Sequence, residues 1–179
     1  MEINRKTIVR DTDPILRSRS AKVALPLSEE DRTLLTAMHQ YVKDSQDDEI
    51  AQEKDLQSSI GIAAIQVGVP KRMIAVVVGD DEYALANPRI VSRSVKKAYL
   101  ADGEGCLSVK DEHPGYAYRN ARVVVEGYDL LQDKPVRIEA DDLLAICLQH
   151  EIDHLSGKLF YDRIDPKNPF YEDPDAIVL

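Results

Sequence analysis

The chain has 179 residues, 44% hydrophobic and 31% charged, with a formal net charge of −9. That length fits one domain over 1–179 and can bury a core without disulfides, and the acidic balance argues against a nucleic-acid binder, which needs a basic face. The longest apolar runs, 73–78 and 143–148, fall far short of the roughly 20 residues of a membrane span, and no apolar stretch follows the charged start 1–6, so no signal peptide is read and the cytoplasm is the expected compartment.

In chain order, Asp11-Thr12-Asp13-Pro14 reads as a helix start, with Asp as cap and Pro in the first turn, for a short helix to about residue 17. Ser28, followed by Glu29, Glu30 and Asp31, opens a longer helix, because its hydroxyl can cap a backbone N–H three residues on and the acids suit the positive end of the dipole. Leu34, Leu35, Met38, Tyr41 and Val42 give that helix one apolar stripe to about residue 44. Residues 44–59 are polar and read as a surface insertion.

Residues 72–78 are β-rich and predict a buried strand, with 83–86 as partner across Gly79-Asp80-Asp81 and an interruption at Asn87-Pro88. Further strands are expected at 89–94, 96–100, 123–125 and 135–140, the last two joined by a turn near Leu131-Gln132-Asp133. Asp141-Asp142 then looks like the cap of a helix over about 143–155, with Gly157 at its C-terminal end, and 165–179 reads as a tail. Strands in runs, without alternating helices, predict an α+β fold with mainly antiparallel sheet packed around this last helix.

That helix carries His150-Glu151-Ile152-Asp153-His154. Histidines at i and i+4 project from one face and can hold one metal ion, and Glu151 beside them can act as general base toward a water activated there. The plain alternative is two histidines that face solvent or satisfy core hydrogen bonds. Ile146, Cys147, His150, Glu151 and His154 lie near one face, with Leu144, Leu148 and Leu155 on another, so the helix is apolar around much of its circumference and reads as buried. Burying these polar groups without partners would cost several kcal/mol, which a metal would offset.

A catalytic metal usually takes three protein ligands. The metzincin spacing fails, because its third ligand position is Phe160. A thermolysin-like third ligand would have to be Glu172, the only glutamate after His154, in a Pro- and Asp-rich segment. Upstream, Gly103-Glu104-Gly105-Cys106-Leu107-Ser108 sets a thiol among glycines, where backbone can approach a ligand closely and a cation would keep the thiolate. Taken alone, Cys106 reads more readily as a buried structural thiol in a turn. Cys147 sits on the same helix as both histidines, which cannot easily supply a third ligand, and is expected to line a pocket.

Three segments in order resemble the peptide deformylase family: Gly61-Ile62-Ala63-Ala64-Ile65-Gln66, Glu104-Gly105-Cys106-Leu107-Ser108, and His150-Glu151-Ile152-Asp153-His154. The resemblance runs from about residue 10 to 165, and the insertion before the first segment and Val109 after the second are similar to the type 2 enzymes of Gram-positive bacteria. It implies an enzyme that removes the formyl group from N-terminal formylmethionine of nascent polypeptides. Cys106, His150 and His154 would hold the metal, usually Fe²⁺ with Ni²⁺ or Zn²⁺ as substitutes. Glu151 would move the proton, and Gln66 and the Leu107 N–H would face the oxyanion. The backbone at Ile60, Gly61 and Gly105 would pair with the peptide as an added strand, and Ile146 and Cys147, with the His150 ring, would line the methionine pocket. Without the resemblance, Gln66 reads as a surface amide in a tight turn. Nascent chains as substrate imply transient ribosome contact, although 165–179 holds no basic helix to mediate it. The chain departs from the family at Ser59, where Gly is common, at Ile62, where Leu is usual, and at Ile65, where Pro or Thr is usual; these bear on substrate range and rate. The rival readings are a metalloendopeptidase, whose metal content would survive replacement of Cys106 by Ser, and a catalytically silent metal-binding relative.

Overall fold

The computed structural model describes residues 1–179. Its frame is a five-stranded antiparallel sheet in the order β1-β2-β3-β6-β7, formed by Gly61–Ala63, Met73–Val78, Asp81–Arg93, Arg122–Asp129 and Lys134–Asp141. A second sheet, β5-β4-β8, joins Arg119–Asn120, Lys97–Tyr99 and Ile177–Val178, with β8 parallel to β4. Helices α1 (Glu29–Ser45) and α3 (Asp142–His154) cover opposite faces of the large sheet.

The period of two in a strand explains this layering. On β2, Met73, Ala75 and Val77 face Leu34, Leu35, Met38 and Val42 of α1 in one core. Ile74 and Val76 face the other way, into a core shared with Val123, Val125, Ile138 and the α3 residues Ala145 and Leu148. Every side of β2 is therefore buried, which is why 73–78 reads as a continuous apolar run. Helix α3 also packs on the small sheet, where Ile146 meets Ala98 and Ala121. The α+β arrangement around a central helix is as the residue pattern predicts.

Several local expectations hold. Asp13 accepts from the Ile15 N–H at the head of a 3-10 turn, Pro14–Arg17, and the Ser28 hydroxyl accepts from the Asp31 N–H at the head of α1. The 44–59 insertion contains α2 (Asp48–Glu53), which buries none of its residues and is capped by Asp47, whose carboxylate accepts from the Glu49 and Ile50 N–H groups. Others are corrected. Asn87-Pro88 does not end a strand. It forms a bulge inside β3, between the pairs Ala86–Tyr128 and Arg89–Glu126, where Pro needs no N–H partner. Asn87 takes φ +51° there, and its side chain binds both the N–H and C=O of Val23. At α3, Asp141 makes no capping hydrogen bond and Asp142 has φ +47°, so this helix is started by its packing rather than by a side-chain cap.

Candidate metal centre

Helix α3 presents His150, Glu151 and His154 toward the loop that follows β4, and that loop delivers Cys106. One donor atom from each of Cys106, His150 and His154 lies within 4.8 Å of the others. Cys106 Sγ is 3.4 Å from His154 Nε2. A thiolate and two imidazoles form a donor set for a borderline or soft divalent ion such as Zn²⁺, Fe²⁺ or Ni²⁺. Cys147 is also near, but burial pushes its thiol well up and the charges of Glu151 and Glu104 push the same way, so it stays a neutral wall of the cavity.

The polar surroundings fit a cation. Only three buried side-chain polar atoms lack a hydrogen-bond partner, and two of them, Glu151 Oε2 and His154 Nδ1, belong to this helix. Burial raises the Glu151 carboxyl to about 7, despite the opposing pull of His150 and Arg119. Burial acts against a proton on His150, yet its contacts with Cys106 and Glu104 outweigh this and raise it well above its usual value. The ring thus sits in a negative field of the kind a bound cation satisfies. Burial and the neighbouring His150 hold His154 well below its usual value, which keeps its ring neutral and able to donate a lone pair.

Behind His150 lies a charge network that reading the sequence did not reveal. His150 Nδ1 is 2.8 Å from Glu104 Oε1, which leaves Nε2 for the metal side. Arg119 grips Glu104 through Nε at 2.7 Å and Nη2 at 2.9 Å, and reaches Asp153 with Nη1 at 3.0 Å. Arg163 binds both oxygens of Asp153, at 3.0 and 2.8 Å. Burial alone would raise the Glu104 carboxyl, but His150 and Arg119 hold it below its ordinary value. A carboxylate on the far nitrogen of a liganding imidazole fixes its tautomer and orientation. Glu104 belongs to a motif that reading the sequence identified, without a role; nothing local in Tyr118-Arg119-Asn120 marks Arg119.

Gln66 is not a surface amide. It is 1% exposed. Its Oε1 accepts from the Ala63 N–H at 2.9 Å, and its Nε2 donates to Ser108 Oγ at 3.1 Å and lies 3.4 Å from Cys106 Sγ. Leu107 is buried beside it, with its carbonyl held by Arg10 at 2.6 Å. Its N–H donates to no backbone carbonyl.

A cavity of about 320 Å³ opens onto these groups. Ile60, Leu100, Leu143, Ile146 and Cys147 give it apolar walls, with Gly61, Gly105, His150 and Glu151 at its polar end. Leu100 and Leu143 were not foreseen; neither stands in a motif. Strand β1 is an edge of the large sheet and runs along this cavity. Gly61 approaches α3 so closely that a Cβ there would lie 2.7 Å from Glu151 Oε1 and 2.9 Å from Cys147 Sγ. All eleven residues marked from the sequence therefore fall in or around one centre.

The comparisons with known proteins agree with this geometry. The chain is 47% identical to peptide deformylase 2 of Bacillus cereus over 96% of this chain and 95% of that one. It is 48% identical to peptide deformylase 2 of Geobacillus stearothermophilus, over 98% and 97%. Among solved structures, the peptide deformylase of Thermotoga maritima superposes with a TM-score of 0.70 at 31% identity, covering 89% of this chain and 97% of that one. The deformylase of Vibrio parahaemolyticus bacteriophage VP16T, solved in complex with actinonin, superposes with a TM-score of 0.69 at 33% identity, covering 89% and 99%. The sequence profile of the polypeptide deformylases matches residues 5–170, and the chain belongs to that family.

Proposed function

We propose a division of labour for the deformylation this chain performs. It is a metal-dependent hydrolase that removes the formyl group from N-terminal formylmethionine and releases formate. The observation that carries the assignment of roles is the trio Cys106, His150 and His154 beside a buried carboxylate oxygen without a partner.

Cys106, His150 and His154 hold the cation, Fe²⁺ as the resident ion with Ni²⁺ or Zn²⁺ able to replace it. Such an ion supplies Lewis acidity and lowers the pKa of water toward about 7. Glu151 accepts the proton of the attacking water at a carboxylate oxygen and passes it to the leaving amine. Its desolvated site supports this role, because a carboxyl raised to about 7 both takes and returns a proton near neutrality. Gln66 Nε2 and the Leu107 N–H stabilise charge on the formyl oxygen in the tetrahedral intermediate, each such donor being typically worth about 3–4 kcal/mol of barrier.

The substrate backbone adds as a strand between the Ile60-Gly61 edge and Gly105, which reads main chain and so tolerates varied residues after methionine. The methionine side chain occupies the wall formed by Ile146, Cys147 and the His150 ring. The formyl hydrogen is small, so a narrow acyl site accepts it and excludes larger acyl groups. No helix is long and apolar enough to cross a membrane. The chain acts as one catalytic domain in the cytoplasm, with transient ribosome contact, because nascent chains are formed there.

The test is formate release from formyl-Met-Ala-Ser by protein purified anaerobically with Fe²⁺ or Ni²⁺, beside acetyl-Met-Ala-Ser and a Glu151→Ala variant. Turnover of the formyl peptide alone, reduced at least roughly 100-fold in the variant while its metal stays bound, is expected. Comparable acetyl turnover, or an active variant, would remove the assigned selectivity or the assigned base.

A further inference from the structure

The edge of β1 that faces the cavity is already occupied by the chain's own side chain. Gly61 stands opposite Val76, and Val77 N–H donates to Ile60 C=O at 2.9 Å. In an antiparallel ladder this makes Ile60–Val77 the hydrogen-bonded pair and Gly61–Val76 the non-bonded one. The N–H and C=O of Gly61 therefore point away from β2, out of the sheet and toward the cleft. Both meet one hydroxyl. Ser59 Oγ donates to Gly61 C=O at 2.6 Å and accepts from Gly61 N–H at 3.2 Å. A single hydroxyl has the one donor and the lone pairs this needs. It thereby fills the donor and acceptor positions that an incoming peptide strand would use.

Ser59 is held there from behind. Its N–H donates to Ser45 Oγ at 3.1 Å, and its C=O accepts from Gln46 Nε2 at 3.0 Å. Both partners sit at the C-terminal end of α1, so the insertion that begins there fixes the residue facing the cleft. Ser59 itself lines the cavity.

We propose that Ser59 is a specificity-determining residue that caps the Gly61 edge and competes with the substrate backbone, so that this chain binds formyl peptides more weakly than the same fold with an uncapped edge. A peptide that pairs strongly along the edge displaces the hydroxyl; one that cannot make both bonds does not. The proposal rests on the reading of β1 as the peptide-binding edge. A net hydrogen bond is modest because it exchanges one partner for another, so the effect falls on KM. Removing uniform binding competition leaves kcat unchanged.

The experiment compares formate release by wild type, Ser59→Ala and Ser59→Thr, on formyl-Met-Ala-Ser and on the same tripeptide N-methylated at either amide after methionine. Ser59→Ala is preferred to Ser59→Gly because it removes the hydroxyl without freeing the backbone. The expected result is a KM lower by roughly five- to tenfold in Ser59→Ala with kcat within about twofold. Ser59→Thr, which keeps the hydroxyl, retains the wild-type KM. At least one N-methylated peptide loses affinity for wild type and also loses the gain on Ser59→Ala. Should neither N-methylation weaken wild type, the edge reading itself fails. Should N-methylation weaken wild type while Ser59→Ala keeps the wild-type KM or raises it, the edge stands and the cap is overturned. A change in kcat or bound metal without a change in KM also overturns it.

Discussion

Replacing Gly61 by Ala tests whether the proposed base is placed by the sheet edge as well as by its own helix. The added Cβ would lie 2.7 Å from Glu151 Oε1, 2.9 Å from Glu151 Cγ and 2.9 Å from Cys147 Sγ. Against a van der Waals optimum of about 3.5 Å, these neighbours must retreat by roughly 0.6–0.8 Å. Neither is free to do so, since Glu151 and Cys147 are 4% and 3% exposed. Overpacking of this kind costs about 1–3 kcal/mol, or a Tm lower by roughly 3–10 °C in a chain of this size. Moving a catalytic group by close to 1 Å costs up to about 100-fold in rate. The expected outcome is therefore kcat down by roughly 10–100-fold with metal content unchanged, because the three nearest atoms met belong to Glu151 and Cys147 and not to Cys106, His150 or His154. The assay is formate release alongside metal analysis and thermal unfolding. Adding Cys147→Ala removes the sulfur contact but not the carboxylate contacts, so it should restore part of the Tm and little of kcat. Wild-type kcat in Gly61→Ala, or full kinetic recovery in the double variant, would refute the argument that Glu151 is held by this close approach.

Gln66→Glu keeps the oxygen that accepts from Ala63 N–H but removes the amide donor aimed at Cys106 and Ser108. Steady-state kinetics should show kcat down by roughly 10²–10³ with a folded, metal-loaded protein. Arg119→Met leaves the Glu104 carboxylate buried without its guanidinium partner, while Asp153 keeps Arg163, at a cost of about 3–5 kcal/mol. Competition with a chelator should also show metal affinity lower by roughly 10–100-fold, because the carboxylate that orients His150 is released. Affinity equal to wild type would detach the network from the metal centre.

Periodic burial made most of the frame readable from the sequence. The stripe on α1 and the apolar run of β2 each encode one burial pattern, and both elements form where the pattern says. What escaped was set by partners far away in sequence. Gly61–Ala63 is only three residues long, two of them Gly and Ala, and becomes a strand because Val76, Ala75 and Ile74 offer a ladder. Ile177–Val178 is exposed and short, and exists because Ala98 and Tyr99 present an open edge. The two histidines were legible because a helical repeat places them on one face, whereas Cys106, alone readable as a structural thiol, joined them only through the family resemblance of its motif. Arg119 was not, since its partners Glu104 and Asp153 lie 15 and 34 residues away. Ser59 was visible as a departure, but its effect depends on the direction of the Gly61 backbone, which only the register reveals.

The polar residues of helix α3 support the base role proposed for Glu151. A buried helix gains from apolar side chains, yet five of its last six residues are polar: Gln149, His150, Glu151, Asp153 and His154. Gln149 is used on β5, accepting from the Asn120 N–H and donating to its C=O, both at 2.9 Å. That anchors the strand on which Arg119 stands. His150 is used on Glu104, Asp153 on Arg119 and Arg163, and His154 Nε2 on Cys106. Each of these positions has a specific polar neighbour. Two atoms of the helix have none, His154 Nδ1 and Glu151 Oε2, and of these two residues only Glu151 lines the cavity. Were the helix polar only for structural reasons, a glutamine or an apolar residue at 151 would be more stable, because it would carry no uncompensated carboxylate. A carboxyl that burial raises to about 7 suits the proposed role of taking and returning a proton near neutrality. Glu151→Gln should therefore raise Tm while abolishing turnover, the opposite of what loss of a structural carboxylate would do.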